Sequence, residues 1–224
     1  MRFISLALFY AFIVILPVHA EKEINRETLD YVLQTPNYTN LSQITRYLIK
    51  PYRTDYDKAR AIAYYIASHI AYDEYLYNNN KKTSLRSKRN NAQDVLQSRV
   101  GVCTDFALLF KTMCQMAGIR AYTVHGYLFD VDNNMRVNKM HRDTHAHAWN
   151  YFDYQRRKIL VDVTGMAQGR TGYEEYVTNA KRQRAVNELK KQNKTYGVTP
   201  FYFDFNEKEE KELHHKIHEP NSRY

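Results

Sequence analysis

The sequence predicts an α+β fold. Helical periodicity runs through its first half, strand alternation replaces it after Gly118, and a cysteine stands at the predicted start of the last helix before that change. A helix that ends on a thiol-bearing N-terminus and packs on an antiparallel sheet is the arrangement these observations describe.

The first twenty residues stand apart from that domain. Met1-Arg2 gives a short positive start, Phe3 to Leu16 an apolar run, and Pro17-Val18-His19-Ala20 a small residue ahead of Glu21-Lys22-Glu23. This is the pattern of a secretory signal peptide, with cleavage expected after Ala20. A membrane anchor needs about twenty apolar residues, more than this run holds. Cleavage leaves 204 of the 224 residues and, with Arg2 lost, lowers the formal charge from +9 to +8. No later stretch is apolar enough to span a bilayer, so a secreted or periplasmic protein is expected. Its length suits one domain with a proper core. We assign residues 21–205 to that domain, with its core at about 55–170, and 206–224 to a charged tail that frays.

The helices can be justified in order. A first one fits Arg26 to Leu33, and a second fits Gln43 to Leu48 with Asn40 or Ser42 as its start and Pro51 as its break. Ala59, Ile62, Ala63, Ile66, Ala67 and Ile70 recur at the spacing of one helix face, and Thr54 with Asp57 sets the start near Asp55. Residues 78–91 hold five Lys or Arg, five Asn and one apolar residue, which reads as a loop. Asn91 caps a short helix at Ala92 to Gln97, with Asp94 in its first turn. Thr104 to Ala117 forms the next helix, closed by Gly118.

The strands follow. Ile119 to Phe129 reads as one, Asp132-Asn133-Asn134 as a turn, His145 to Phe152 as a second strand, Asp153 to Arg156 as its hairpin turn and Lys158 to Val163 as a third. Beyond these, Tyr173 to Lys191 fits a surface helix and Phe201 to Phe205 a strand.

Two cysteines remain to be explained. Cys103 and Cys114 lie eleven residues apart on one helix, roughly 16 Å at about 1.5 Å per residue, whereas a disulfide needs Cα atoms within about 7 Å. Both thiols are therefore expected to be free. Cys114, beside Met113 and Met116, reads as a small buried hydrophobe. Cys103 opens the helix, where unpaired N–H groups and the dipole favour a thiolate. Gly101 permits a close approach there, while Asp105 in the first turn opposes the anion, so a positive partner is needed. Strand alternation puts His145, His147 and Trp149 on one face. A hairpin centred on Tyr154-Gln155 sets His147 opposite Asp162, whose carboxylate would hold the ring, and this favours His147 over His145.

Gly101-Val102-Cys103-Thr104-Asp105-Phe106-Ala107, His147-Ala148-Trp149-Asn150 and Val161-Asp162-Val163-Thr164 resemble the three signature blocks of the transglutaminase-like superfamily. Ile66 to Asp73 and Gly126-Tyr127 are similar to its kyphoscoliosis-peptidase-like and cytokinesis-protein branch. The resemblance implies a papain-like core with Cys103 as nucleophile, His147 as base and Asp162 as orienter. It also implies a thioester released to water by a peptidase or amidase, or to an amine by a transglutaminase. The partner is then a protein or peptide substrate, and no cofactor is called for. The Cys103 N–H is the natural oxyanion donor, the Gln97 side chain a candidate second one, and His145, Trp149 and Gly101 neighbours of the substrate site.

Two rival readings stand beside this one. His141, His145 and His147 with Cys103, Asp162 or His125 could ligate zinc, but no CxxC or HExxH spacing occurs and no metal is expected. A non-catalytic module could hold an anionic cell-surface polymer through Arg86, Lys88 and Arg89. Aromatic residues that would stack bases are missing from that stretch, so no specific nucleic-acid partner is expected.

Overall fold

Side-chain caps decide where the helices begin. In the computed structural model, which describes residues 23–73, 91–128, 146–167, 198, 200–206 and 214–216, Asn25 Oδ1 accepts the Thr28 N–H at 2.8 Å and opens α1 (Arg26–Leu33). Asn40 Oδ1 accepts from Ser42 and Gln43 and opens α2 (Leu41–Ile49). Thr54 Oγ1 accepts the Asp57 N–H at 3.1 Å and opens α3 (Asp55–His69). The expected signal segment 1–20, the loop at 78–90, the turn at 132–134, the helix at 173–191, and His141 and His145 lie outside the described residues. Among the described residues no helix is long and apolar enough to cross a membrane.

Helix α3 is buried almost throughout from Ala59 to His69, and its alanines let neighbouring helices approach closely. It leads into β1 (Ala71–Tyr72), which pairs in parallel with β2 (Val100–Gly101). The bonds run from Ala71 N to Arg99 O at 2.9 Å and from Asp73 N to Gly101 O at 2.8 Å. Between the two strands lies α4 (Ala92–Ser98), capped by Asn91 as expected, and Arg99 at φ 59° turns the chain from α4 into β2. Periodicity foresees neither strand, because two residues are too few to show a period. Their pairing holds the chain just ahead of α5 (Cys103–Met116), which ends one residue before Ala117 and a left-handed Gly118 at φ 79°.

The remaining strands form one antiparallel sheet. Its members are β3 (Ala121–Leu128), β4 (Ala146–Tyr154), β5 (Arg157–Val161), β6 (Phe203–Phe205) and β7 (His214–Lys216), in the spatial order β6-β5-β4-β3-β7. Phe152, Ile159 and Val161 pack with Phe106, Leu109, Phe110 and Met113 of α5 in the main core. Trp149, Leu160 and Phe205 form a second cluster, as alternation along β4 and β5 requires. The α+β class is thus present, with the cysteine-bearing helix against an antiparallel sheet.

Three expectations are corrected. The β4–β5 hairpin turns at Gln155-Arg156, both left-handed at φ 47° and 66°, so Asn150 rather than a residue two earlier faces Val161. Neither turn residue is the Asn or Gly that marks such a two-residue turn, and Tyr154 stays in the strand because it packs on Tyr56 at 5.6 Å. Phe201 and Tyr202 belong to a 3₁₀ turn begun by Pro200, leaving only Phe203–Phe205 as strand. The segment 206–224, expected as a frayed tail, supplies β7, which covers the open edge of β3 through main-chain pairing that no hydrophobic pattern announces.

Asn150 ties helix to sheet. Its Nδ2 donates to Ala107 O of α5 and to Tyr122 O of β3, each at 3.1 Å, and the residue has no solvent exposure. Its Oδ1 is buried without a partner, so the amide N–H groups alone supply the gain. Asn150→Ala is expected to lower unfolding stability by about 1–3 kcal/mol, read from the denaturant midpoint at unchanged slope.

Candidate active site

Cys103 is the first residue of α5, and the residue before it, Val102, has no side chain able to cap. The need is met from the third helical position, where Asp105 Oδ2 accepts the Val102 N–H at 2.9 Å. This is the reciprocal half of a capping box. It changes the reading of two residues. The Asp105 carboxylate is engaged by the cap backbone rather than standing free beside the sulfur. A Cβ on Gly101 would lie 2.6 Å from Asp105 Cβ, so Gly101, itself buried, is a glycine because Asp105 folds over it. The close approach expected at Gly101 is made by the Asp105 side chain.

His147 and Asp162 meet at the end of the sheet. His147 Nε2 and Asp162 Oδ2 are 2.8 Å apart, and the two side chains are 5% and 2% exposed. The register differs from the one expected, but by two residues, which preserves the face. The carboxylate reaches His147 diagonally because β5 ends at Val161 and Asp162 becomes the N-cap of α6 (Val163–Met166). Its other oxygen, Oδ1, accepts the Gly165 N–H at 3.0 Å. One carboxylate thus caps a helix and orients an imidazole. With Nε2 on Asp162, the Cys103 side chain is the other group that acts on the ring, and it too favours the protonated form.

The charge state of the ring follows from these neighbours. Burial pulls the His147 pKa down. The Asp162 charge and hydrogen bond, followed by the Cys103 sulfur, outweigh burial and push it up to about 10. An imidazolium beside the sulfur is the partner a thiolate nucleophile requires. Trp149 is fully buried, and its ring stacks on His147 at 6.0 Å and 19°, so it holds the imidazole rather than lining an open surface.

The other candidates separate from this centre. Cys114 is a free thiol buried in the core, its pKa pushed well up by burial and then by the Asp55 charge. Gln97 is exposed on α4 and lines a cavity of about 310 Å³ with Asn37, Tyr38, Thr39, Leu96 and Arg99. None of Cys103, His147 and Asp162 is among the described residues that line it. His125 is exposed on β3. Among the described residues no group of His, Cys, Asp and Glu is arranged to hold a metal. Two contributors escape sequence reading: Asp105, whose box begins with Val instead of Ser or Thr, and Tyr202, which accepts the Asp162 N–H at 2.9 Å from forty residues away.

A raised histidine pKa has a definite consequence for stability. The increment from protonated His147 is fully present below its unfolded value of 6.5 and is lost as pH rises through about 10. Urea titrations of wild type and His147→Gln should differ by a constant amount below pH 6.5 and by a shrinking amount from there to about 10. A difference that stays flat over that window would contradict the charged pair.

Comparison with known proteins identifies the family. The family model described as "Transglutaminase-like superfamily" matches residues 42–162, just over half of the chain. Kyphoscoliosis peptidase from Homo sapiens is 29% identical over 139 residues, 62% of this chain and 20% of that protein. Its counterpart from Mus musculus is 27% identical over 126 residues, 56% of this chain and 18% of that protein. The chain therefore spans about a fifth of the length of these relatives. The crystal structure of the periplasmic domain of TgpA from Pseudomonas aeruginosa aligns with a TM-score of 0.41 at 20% identity, covering 74% of this chain and 53% of that one. With the family model spanning Cys103, His147 and Asp162 together, the chain belongs to the transglutaminase-like superfamily.

Proposed function

We propose that this chain is an exported, cysteine-dependent acyl-transfer enzyme that opens amide bonds in proteins or peptides through a thioester. The observation that carries the reading is the buried imidazole bonded to Asp162 Oδ2 and acted on by Cys103, the first residue of α5. The three groups stand in the order that nucleophilic catalysis needs.

Each step can be assigned to an atom. The Cys103 thiolate attacks the amide carbonyl carbon, a C–S bond forms, and the carbonyl electrons move onto oxygen. The Cys103 N–H, in the first turn where intrahelical partners are lacking, donates to that oxygen. The His147 imidazolium gives its proton to the leaving nitrogen as the C–N bond breaks, leaving a thioester and a free amine. Water or a second amine then attacks the thioester while neutral His147 accepts its proton. The C–S bond breaks, and thiolate and imidazolium return. Asp162 keeps the ring aimed throughout and stays ionised. Hydrolysis and transamidation share every protein group in this scheme, so the choice between them rests on which nucleophile reaches the thioester.

The leader-like residues 1–20 support action outside the cytoplasm, and the net charge of +8 after its loss suits anionic cell-surface surroundings. The test is incubation with a glutamine-containing peptide, with and without a primary amine, followed by product mass. Hydrolysis or amine incorporation is expected from wild type and from Cys114→Ala. Cys103→Ala should lose at least about 10³-fold in rate. No product in either arm would leave a binding module as the reading.

A further inference from the structure

The chain beyond the matched region returns to the catalytic pair. The family match ends at residue 162, yet the 3₁₀ turn Pro200–Tyr202 and strand β6 pack directly on what lies there. Tyr202 O accepts the Asp162 N–H at 2.9 Å. The Tyr202 ring lies over Gly165 so closely that a Cβ at that position would be 2.8 Å from Cγ and 2.9 Å from Cδ1 and Cδ2. Gly165 in turn donates its N–H to Asp162 Oδ1. Phe205, three residues on, joins Trp149 in one cluster, and Trp149 stacks on His147. The same short segment therefore bears on both members of the pair.

That segment is itself anchored. Asp204 accepts from Arg157 Nη1 at 3.1 Å and Nη2 at 2.9 Å, and from the Tyr56 hydroxyl at 3.0 Å. Phe203 meets the Tyr56 ring edge-on at 5.3 Å. Asp204 sits at φ 57°, a region non-glycine residues occupy only when their surroundings hold them there.

We propose that Tyr202 is a positioning residue for Asp162: its carbonyl, brought to the Asp162 N–H because Gly165 leaves room for the segment to close over it and locked by the Arg157–Asp204 pair, aims the carboxylate at His147. The assignment rests on the proposed function only for the word catalytic, since its readout is the titration of His147 and needs no turnover. Among the described residues, the titratable groups acting on that ring include Asp162 at the cap of α6 and Cys103 at the start of α5, while Trp149 of β4 brings no charge.

The experiment is histidine-ring NMR across pH on the full chain, with the His147 signal identified by its loss in His147→Gln. Gly165→Ala should push Tyr202 away and lower the His147 midpoint by at least about one pH unit. Adding Tyr202→Ala to that variant makes room for the methyl while keeping a carbonyl at position 202, and should restore most of the shift. Arg157→Ala changes an exposed side chain, and should move the midpoint in the same direction by a smaller amount; it decides the matter if Gly165→Ala does not fold. An unmoved midpoint in Gly165→Ala or Arg157→Ala, or a double variant that is not restored, overturns the assignment. A wild-type chain that turns over no amide but titrates as expected counts against the proposed reaction and leaves the positioning role standing.

Discussion

A carboxylate and an imidazole that share a hydrogen bond of 2.8 Å, both nearly without solvent, constrain everything built around them. Removing one partner of such a pair strands a charge in a medium that cannot solvate it, at a cost of about 3–5 kcal/mol. Neither side chain can therefore drift far from the other in the folded state. The sheet register, the end of β5 at Val161 and the first turn of α6 all follow from that requirement. Asp162 meets it with both oxygens, one on His147 and one on the Gly165 N–H, so its orientation is fixed by two independent bonds.

The Cys103 sulfur is placed by a different device. Val102 lies in the apolar interior at 1% exposure, where a Ser or Thr cap would need its own partner. The capping duty passes to Asp105, and the Gly101 backbone makes room for it. Upstream, the parallel bridge between β1 and β2 fixes the direction from which the chain enters the helix. Asn150 then stitches the second turn of α5 to β3 and β4. Cys103 is held from both sides by main-chain bonds, and its side chain is left to meet the ring.

Much of this was legible in the residues, and the reason is local physics. Asn40, Thr54 and Asn91 announce helix starts because capping is a contact over three residues. Cys103, His147 and Asp162 could be chosen because a thiol at a helix start and side chains on one strand face obey simple parity. The hairpin register was misread by two residues, since Gln155-Arg156 takes a left-handed turn without the residues that usually mark one. The even error left the face unchanged, which is why His147 and Asp162 still meet. Tyr202 and β7 were out of reach: main-chain bonds between segments far apart in sequence leave no pattern in either.

The place of β6 at the sheet edge bears on how the molecule comes into being. Cys103 precedes Tyr202 by about a hundred residues, and Tyr56 and Asp204, which bond directly, are separated by 148. Contacts so distant along the chain form late and slowly. During synthesis the thiol is complete long before the segment that steadies its partner's carboxylate has been made. On the proposed reading, reactivity at Cys103 is thus a property of the finished domain: a nascent or clipped chain carries the sulfur but not the groups arranged around it.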